Sequence, residues 1–217
     1  MELDRFVRGE MAVMEIRMWS DPPCLVLASG SPRRRELLRD LGWKFRVVPA
    51  AVDETVFPGE DPETAACRLA EAKARVVANQ LPDCLVIGAD TLVLLDGYLL
   101  GKPRDRDQGM EMLRMLNGRE HAVLTGIALV EGTRSCVAVE RTAVRFRFVS
   151  ESALEAYLDT GEGVDKAGGY AIQGQGALLV ESISGCFYNV VGLPLGRLST
   201  LLAQWGWGLG SQWRGKN

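Results

Sequence analysis

Three consecutive arginines, residues 33–35, stand in the first turn of a predicted helix. The apolar residues 25–28 predict a buried strand, Ser29-Gly30 predicts a turn, and Ser31-Pro32 predicts a helix start. A helix N-terminus carries partial positive charge, so arginines there are unfavourable unless an anion lies between them. Free backbone N–H groups, two serine hydroxyls and guanidinium groups together favour a polyphosphate site. The alternative is that the arginines form a solvated face.

A carboxylate interrupts the most apolar stretch of the chain. Residues 84–95, CLVIGADTLVLL, predict a central strand or two, with Asp90-Thr91 in the middle. Burying a carboxylate there is costly without compensation. A structural salt bridge would explain it, but a metal ligand or general base is the favoured interpretation. A hairpin turn at Asp96-Gly97 then carries Lys102 back towards Asp90.

Two further charged side chains could meet this acid. Lys73 lies on the apolar face of a helix predicted from Asp61 to about Gln80. It either extends to solvent or projects into a cleft that holds an anion. Glu54 follows a strand predicted at residues 44–48. Acids in such a loop are usually solvated, but hard oxygen ligands at a strand end suit a metal ion.

A glycine-rich stretch, residues 163–176, lacks the spacing of a Rossmann or Walker-type motif. Glycines permit close approach of backbone to a ligand. The amide of Gln173 offers a donor and an acceptor, which matches the edge of a uracil or thymine ring. The alternative is a flexible loop. His121, the only histidine, has no nucleophile motif nearby and is predicted to be structural.

Composition excludes several classes of protein. The chain has 217 residues with 47% hydrophobic residues, so one domain with a sizeable core is expected. A net charge of −3 argues against nucleic-acid binding. Five scattered cysteines without a CxxC pair argue against structural zinc or a disulfide framework, and favour a reducing, cytoplasmic location. No apolar run is long enough to span a membrane, and the N-terminus lacks signal-peptide order.

The remaining chain predicts alternating helices and strands. Residues 1–23 lack clear periodicity, and part of this lead is predicted to be dispensable or a start-site misassignment. No role is assigned to the Trp-rich tail, residues 205–217, so a single domain is predicted at residues 24–204. Its other elements are helices at 105–116, 150–161 and 195–204, an antiparallel strand pair at 122–130 and 135–148, and a strand at 177–183.

Six stretches in series resemble the Maf family of nucleoside triphosphate pyrophosphatases. They are LASGSPRRRELL at 27–38, the helix around Lys73, VIGADT at 86–91, GKP at 101–103, DKAGGYAIQG at 165–174 and VVGLPL at 190–195. The resemblance implies an α/β, Maf/inosine-triphosphatase-like fold: an elongated, two-lobed molecule with a twisted mixed sheet and a deep central cleft. It implies hydrolysis of dTTP and UTP, and of modified pyrimidine nucleotides as further candidates, to the monophosphate and pyrophosphate, which cleans the nucleotide pool.

The resemblance also implies roles for individual residues. Ser29, Arg33 and Arg34 are expected to bind the triphosphate. Lys73 and Lys102 are expected to reach into the same cleft and to act in catalysis. These side chains would stabilise negative charge on the phosphoryl oxygens.

Asp90 resembles the family's proton acceptor, with a role at the metal as well. Apart from the resemblance, Mg²⁺ or Mn²⁺ is the expected ion because the available ligands are hard oxygens and the sequence has no Cys/His cluster, and Glu54 is the expected second ligand. Thr91, Arg34 and Gln173 resemble the positions that tune base choice. The glycine-rich stretch resembles the dTTP/UTP branch rather than the branch acting on 7-methyl-GTP.

Two alternatives stay open. One is the same reaction on 7-methyl-GTP or another noncanonical nucleotide. The other is a non-hydrolysing nucleotide-binding regulator of septum formation, a process linked to the family. The expected partner is the nucleoside triphosphate, without nucleic acid or membrane, and a homodimer is left open.

Overall fold

The computed structural model describes residues 24–214, and the predictions made for residues 1–23 lie outside the described residues. The strands are β1 Leu25–Leu27, β2 Arg46–Val47, β3 Leu85–Leu95, β4 Tyr98–Leu100, β5 Glu120–Glu131, β6 Arg134–Phe146 and β7 Val180–Ser184. The helices are α1 Pro32–Asp40, α2 Pro62–Ala78, α3 Arg106–Leu116, α4 Glu151–Asp159, α5 Phe187–Val191, α6 Leu195–Gln204 and α7 Leu209–Arg214.

The strands form one mixed sheet in the order β2-β1-β3-β5-β6-β7, with β4 also paired to β3. β1 runs parallel to β2 and β3, whereas the pairs β3–β4, β3–β5, β5–β6 and β6–β7 are antiparallel. The apolar run that predicted a strand or two is one strand of 11 residues. The predicted α/β fold with a mixed sheet is confirmed.

One edge of β3 has a gap between two neighbouring strands. Near its start β3 pairs with β1, as far as Leu27 opposite Ile87. Near its end the same edge pairs with β4, where Leu100 lies opposite Val93. Among the residues that the structure describes, no strand pairs with this edge between those two points. The end of β1 and the end of β4 therefore face each other across residues 88–92 of β3.

Helix α2 lies directly against the sheet because two glycines remove the side chains between them. A Cβ atom added to Gly88 would lie 2.1 Å from the backbone oxygen of Ala70. One added to Gly126 would lie 2.1 Å from the backbone oxygen of Ala66. The side chains of α2 that face the sheet consequently reach the middle of β3.

The C-terminal segment packs on the main core as far as the structure describes it. Trp207 is 2% exposed, and its ring centroid lies 4.7 Å from that of Trp43. The Trp43 indole donates a hydrogen bond to the backbone oxygen of Gln212 at 3.2 Å. Within residues 24–214, no helix has the length and apolar character needed to cross a bilayer.

Two of the five cysteines form a disulfide bond, contrary to the expectation from the sequence. The scattered cysteines argued against a disulfide framework, but Cys24 and Cys84 are disulfide-bonded. The physical reason is strand register: Leu25 lies opposite Leu85 in the parallel β1–β3 pair, so the residues just before them are side by side, with Cα atoms 4.7 Å apart. Register between strands separated by 60 residues cannot be read from cysteine spacing.

The glycine-rich stretch folds into two short 3₁₀ turns, Ala167–Gly169 and Gly174–Leu179. Gly168 adopts a φ of +74°, in the left-handed region that favours glycine. The Glu162 carboxylate accepts backbone N–H groups at the start of the second turn, at 3.0 and 2.8 Å. Tyr170, between the two turns, is 5% exposed. This stretch is therefore anchored to the core.

Candidate active site

A cleft of about 750 Å³ opens at the gap in the β3 edge. Its walls come from the loop after β1, the start of α1, α2, the middle of β3, the loop after β4 and the glycine-rich stretch. The predicted site residues that line it are Ser29, Arg33, Arg34, Glu54, Lys73, Asp90, Thr91 and Lys102. The deep central cleft expected from the sequence is thus present.

A buried ion pair lies at the centre of this cleft. Lys73 Nζ is 2.5 Å from Asp90 Oδ1 and 2.6 Å from Glu54 Oε1. Lys73 and Asp90 are 7% and 6% exposed, so Lys73 projects inward and its alternative, extension to solvent, is wrong. The ammonium group compensates the cost of placing a carboxylate within an apolar strand. Lys102 is more exposed, with Nζ 3.7 Å from Glu54 Oε2.

Glu54 is held ionised by its surroundings. Partial burial opposes ionisation, but the hydrogen bond from Lys73 and the charges of Lys73, Lys102 and Arg34 outweigh it. The pKa of Glu54 therefore lies below its ordinary value. The cleft presents a carboxylate at neutral pH beside the carboxyl group of Asp90.

Arg34 binds mainly to the protein itself. Its Nε donates to the backbone oxygen of Gly192 at 2.7 Å. Its Nη1 donates to the backbone oxygen of Ala89 at 2.9 Å and to Ser29 Oγ at 3.3 Å, and its Nη2 donates to Thr91 Oγ1 at 2.9 Å. Arg34 thus occupies the gap beside β3, where a neighbouring strand would otherwise supply the hydrogen bonds.

Ser29 is arranged to donate a proton into the cleft. Its Oγ accepts hydrogen bonds from the backbone N–H of Ser31 at 3.2 Å and from Arg34 at 3.3 Å. Both acceptor positions of the hydroxyl are thereby used, and its own proton is left for another acceptor. A phosphate oxygen in the cleft would be a suitable partner.

Arg33 is the guanidinium group that the fold leaves available. Among residues 24–214 it has no partner within hydrogen-bond or ion-pair distance, although it lines the cleft. Burial lowers its pKa, while the charges of Asp165, Tyr157 and Glu162 raise it. An arginine remains charged at any relevant pH, so Arg33 is a free cation at the cleft wall.

Tyr170 lines the cleft and was not singled out from the sequence. Its hydroxyl lies 2.7 Å from Nε2 of His121, which is 3% exposed and does not line the cleft. An aromatic residue directly after two glycines, Gly168 and Gly169, was the signal that could have found it. Gln173 is exposed and is not among the residues that line the cleft, so its role in base choice stays a prediction.

The carboxylates fit a divalent cation as part of a ligand set. Within the described residues, no group of three His, Cys, Asp or Glu side chains is placed to hold a metal ion. Asp90 and Glu54 both contact the same ammonium group, so their oxygens converge on one point. Mg²⁺ is commonly bound by one or two carboxylates together with substrate phosphates. The pair is therefore suited to a metal that arrives with a polyphosphate.

The mixed α/β fold and this cleft define a protein with a site for an anionic ligand beside a carboxylate pair. The family described as Maf-like protein matches residues 24–205. The dTTP/UTP pyrophosphatase of Symbiobacterium thermophilum is 51% identical over 183 residues, which is 84% of this chain and 94% of that protein. That of Moorella thermoacetica is 51% identical over 189 residues, 85% of this chain and 97% of that protein.

Among solved structures, the Ham1 protein of Staphylococcus aureus aligns with a TM-score of 0.41 and 17% identity, over 56% of this chain and 71% of that one. The family match and the two relatives cover most of the chain. The chain belongs to the Maf family.

Proposed function

We propose that this protein hydrolyses dTTP and UTP to the nucleoside monophosphate and pyrophosphate. The observation that carries the proposal is the buried Asp90–Lys73 pair, which lies in one cleft with the free guanidinium of Arg33. The names of the two relatives support the substrates and the class of enzyme, a pyrophosphatase. Cytoplasmic location and a homodimer stay predictions from the sequence.

The triphosphate would lie against the first turn of α1. Arg33 and the hydroxyl proton of Ser29 would bind phosphoryl oxygens, and the exposed ammonium of Lys102 would join them. Arg34 has one N–H group left after its four bonds to the protein. Its contribution to substrate binding would therefore be smaller than its contribution to holding β3 and α1 in place.

Asp90 would act on the attacking water. The water oxygen forms a bond to phosphorus, the bridging P–O bond between the α- and β-phosphates breaks, pyrophosphate leaves, and a water proton passes to Asp90. Lys73 fixes the orientation of this carboxylate through its 2.5 Å contact. Mg²⁺ or Mn²⁺, held by Asp90 and Glu54, would supply neutralisation of phosphate charge.

A substrate panel tests the proposal. The purified chain is incubated with dTTP, UTP, CTP, ITP and 7-methyl-GTP, with and without chelator, and monophosphate, pyrophosphate and orthophosphate are measured separately. We expect monophosphate and pyrophosphate in equal amounts from dTTP and UTP. Faster turnover of 7-methyl-GTP or ITP would replace the substrate assignment, and tight nucleotide binding without product would favour the regulator.

The variant Asp90→Asn tests the assignment of the base. We expect turnover to fall by about 100-fold or more, the range usual for loss of a general base. Asp53→Asn is the matched control, because Asp53 adjoins Glu54 in the sequence but does not line the cleft. Within residues 24–214 its carboxylate accepts hydrogen bonds from Thr55 alone. Equal activity of both variants would remove Asp90 from the mechanism.

A further inference from the structure

We propose that Thr125, buried behind the cleft, fixes the hydroxyl proton of Thr91. Thr91 then offers the substrate an acceptor and no donor. This selects a base that presents a ring N–H, as thymine and uracil do at N3. The inference rests on the proposed function, because it names a feature by which that site chooses its nucleotide.

The two threonines lie directly opposite each other on neighbouring strands. Thr91 in β3 pairs with Thr125 in β5, and their Oγ1 atoms are 2.9 Å apart. Thr125 is fully buried and does not line the cleft, whereas Thr91 does. The Thr125 Oγ1 is also 3.1 Å from the backbone oxygen of Asn189. Among the described residues, Thr125 is therefore hydrogen-bonded through its side chain to one cleft-lining residue, Thr91.

Counting protons gives the direction of each hydrogen bond. A carbonyl oxygen only accepts, so the contact between Thr125 and Asn189 requires the Thr125 proton. Thr125 then has no proton for Thr91, and the 2.9 Å contact requires the proton of Thr91. The reverse arrangement would leave lone pairs of the Thr125 hydroxyl and of the Asn189 carbonyl facing each other at 3.1 Å inside the core, where their repulsion is only weakly screened.

The anchor at the far end of this chain of hydrogen bonds is fixed. The Asn189 side-chain amide donates to the backbone oxygen of Val123 and to Thr142 Oγ1, both at 2.9 Å. Asn189 itself is fully buried. Its backbone oxygen also accepts the N–H of Gly192 at 2.9 Å. The carbonyl that orients Thr125 therefore has little freedom to turn away.

On the cleft side, Thr91 keeps one lone pair. Its Oγ1 accepts one hydrogen bond from Arg34 Nη2 at 2.9 Å and gives its proton to Thr125. The remaining lone pair is an acceptor for an N–H group of a bound base. Thymine and uracil carry a proton at N3, whereas N3 of cytosine is itself an acceptor, and two acceptors repel. Ser29, by contrast, offers a hydrogen-bond donor, which suits a phosphate oxygen.

The test compares dTTP with dCTP in variants of Thr125. Thr125→Val keeps the shape but removes the acceptor, so the Thr91 hydroxyl is free to turn its proton towards the base. We expect the ratio of kcat/KM for dTTP over dCTP to fall about tenfold, mainly through KM. Thr125→Ser restores the hydroxyl and is expected to restore the ratio. Thr125→Cys, a weak donor and acceptor, is the second variant if Thr125→Val does not fold.

Thr142→Val is the matched control. Thr142 is equally buried and accepts one of the two side-chain hydrogen bonds of Asn189, but it has no hydrogen bond to Thr91. Thr142→Val loosens the anchor and leaves the acceptor for the Thr91 proton in place, so we expect a smaller fall in the ratio than in Thr125→Val. A purely structural role for Thr125 predicts the same change in both variants. The inference is overturned if Thr125→Val slows dTTP and dCTP equally, if Thr142→Val changes the ratio as much, or if Thr125→Ser fails to restore it.

A binding measurement separates this inference from the proposed function. Dissociation constants are measured by calorimetry for the α,β-methylene analogues of dTTP and dCTP, which need no hydrolysis. The inference is supported if the preference for the dTTP analogue over the dCTP analogue is lost in Thr125→Val but not in Thr142→Val. This holds even if the wild-type protein releases no pyrophosphate. The inference is overturned if the ratio of the two dissociation constants is the same in wild type and in Thr125→Val, even if dTTP is hydrolysed.

Discussion

The contact between α2 and β3 can be tested with one methyl group at Gly88. A Cβ atom added there would lie 2.1 Å from Ala70 O and 2.9 Å from Ala74 Cβ. An ordinary carbon–oxygen contact is about 3.3 Å, so the helix backbone must move by about 1 Å. Lys73 lies between these two alanines in α2, and Asp90 lies two residues beyond Gly88 on the same face of β3.

Gly88→Ala should therefore lower both stability and activity. Overpacking of a close contact costs about 2–3 kcal/mol, which in a chain of this size lowers Tm by about 4–12 °C. A displacement of about 1 Å in a catalytic group can cost about 100-fold in rate. Thermal unfolding followed by circular dichroism gives the first quantity, and pyrophosphate release from dTTP at 25 °C gives the second.

Gly196→Ala is the matched control, and the change in Tm expected for it does not have the negative sign expected for Gly88→Ala. Gly196 lies exposed in the first turn of α6, and an added Cβ would meet nothing within 4 Å. Alanine is the better helix former by up to about 1 kcal/mol, so Tm should stay the same or rise with activity unchanged. A Gly88→Ala variant that unfolds at the wild-type temperature and turns over dTTP at the wild-type rate would refute this account of the contact between α2 and β3.

Three further predictions concern charge, protonation and the disulfide. Lys73→Met should destabilise the fold by about 3 kcal/mol, because it leaves the buried Asp90 carboxylate unpaired; adding Asp90→Asn should recover most of that loss in urea unfolding. Burial lowers the pKa of His121 to about 4 from 6.5. The unfolded chain therefore binds the extra proton between these values, and stability rises with pH across that window by up to about 3 kcal/mol; His121→Leu should flatten this slope, and an unchanged slope would contradict it. Reductant should lower the unfolding free energy by about 2–4 kcal/mol through loss of the Cys24–Cys84 bond, and Cys24→Ser should be insensitive to reductant.

The parts of the fold that local chemistry determines could be predicted from the sequence. Asp61 and Ser150 were expected to begin helices, and each side chain accepts a backbone N–H three residues later, from Thr64 and Ala153. Asp96-Gly97 was expected to turn the chain between β3 and β4, and it does. These features depend on residues within a few positions of each other, so a single sequence contains the information.

The role of Arg34 could not be predicted, because its partners are distant in the chain. The triplet 33–35 indicated an anion site, but nothing local distinguishes Arg33 from Arg34. The distinction comes from Gly192, 158 residues away, and Ala89, 55 residues away, whose carbonyl oxygens bind Arg34. The same holds for Trp207, whose partner Trp43 lies far upstream.

The gap in the β3 edge explains why a site lies here at all. From Ile87, the last partner of β1, to Val93, the first partner of β4, there are six residue steps, or about 20 Å of strand at about 3.3 Å per residue. A third strand across this interval would cover Asp90 and bind the backbone that Arg34 now binds. Lengthening β1 or β4 by one residue would shift Ser29 or Lys102 along the edge by about 3.3 Å, more than a hydrogen bond tolerates. The separation of these two side chains from the acid is therefore set by where two short strands stop, which is a property of the sheet rather than of any one motif.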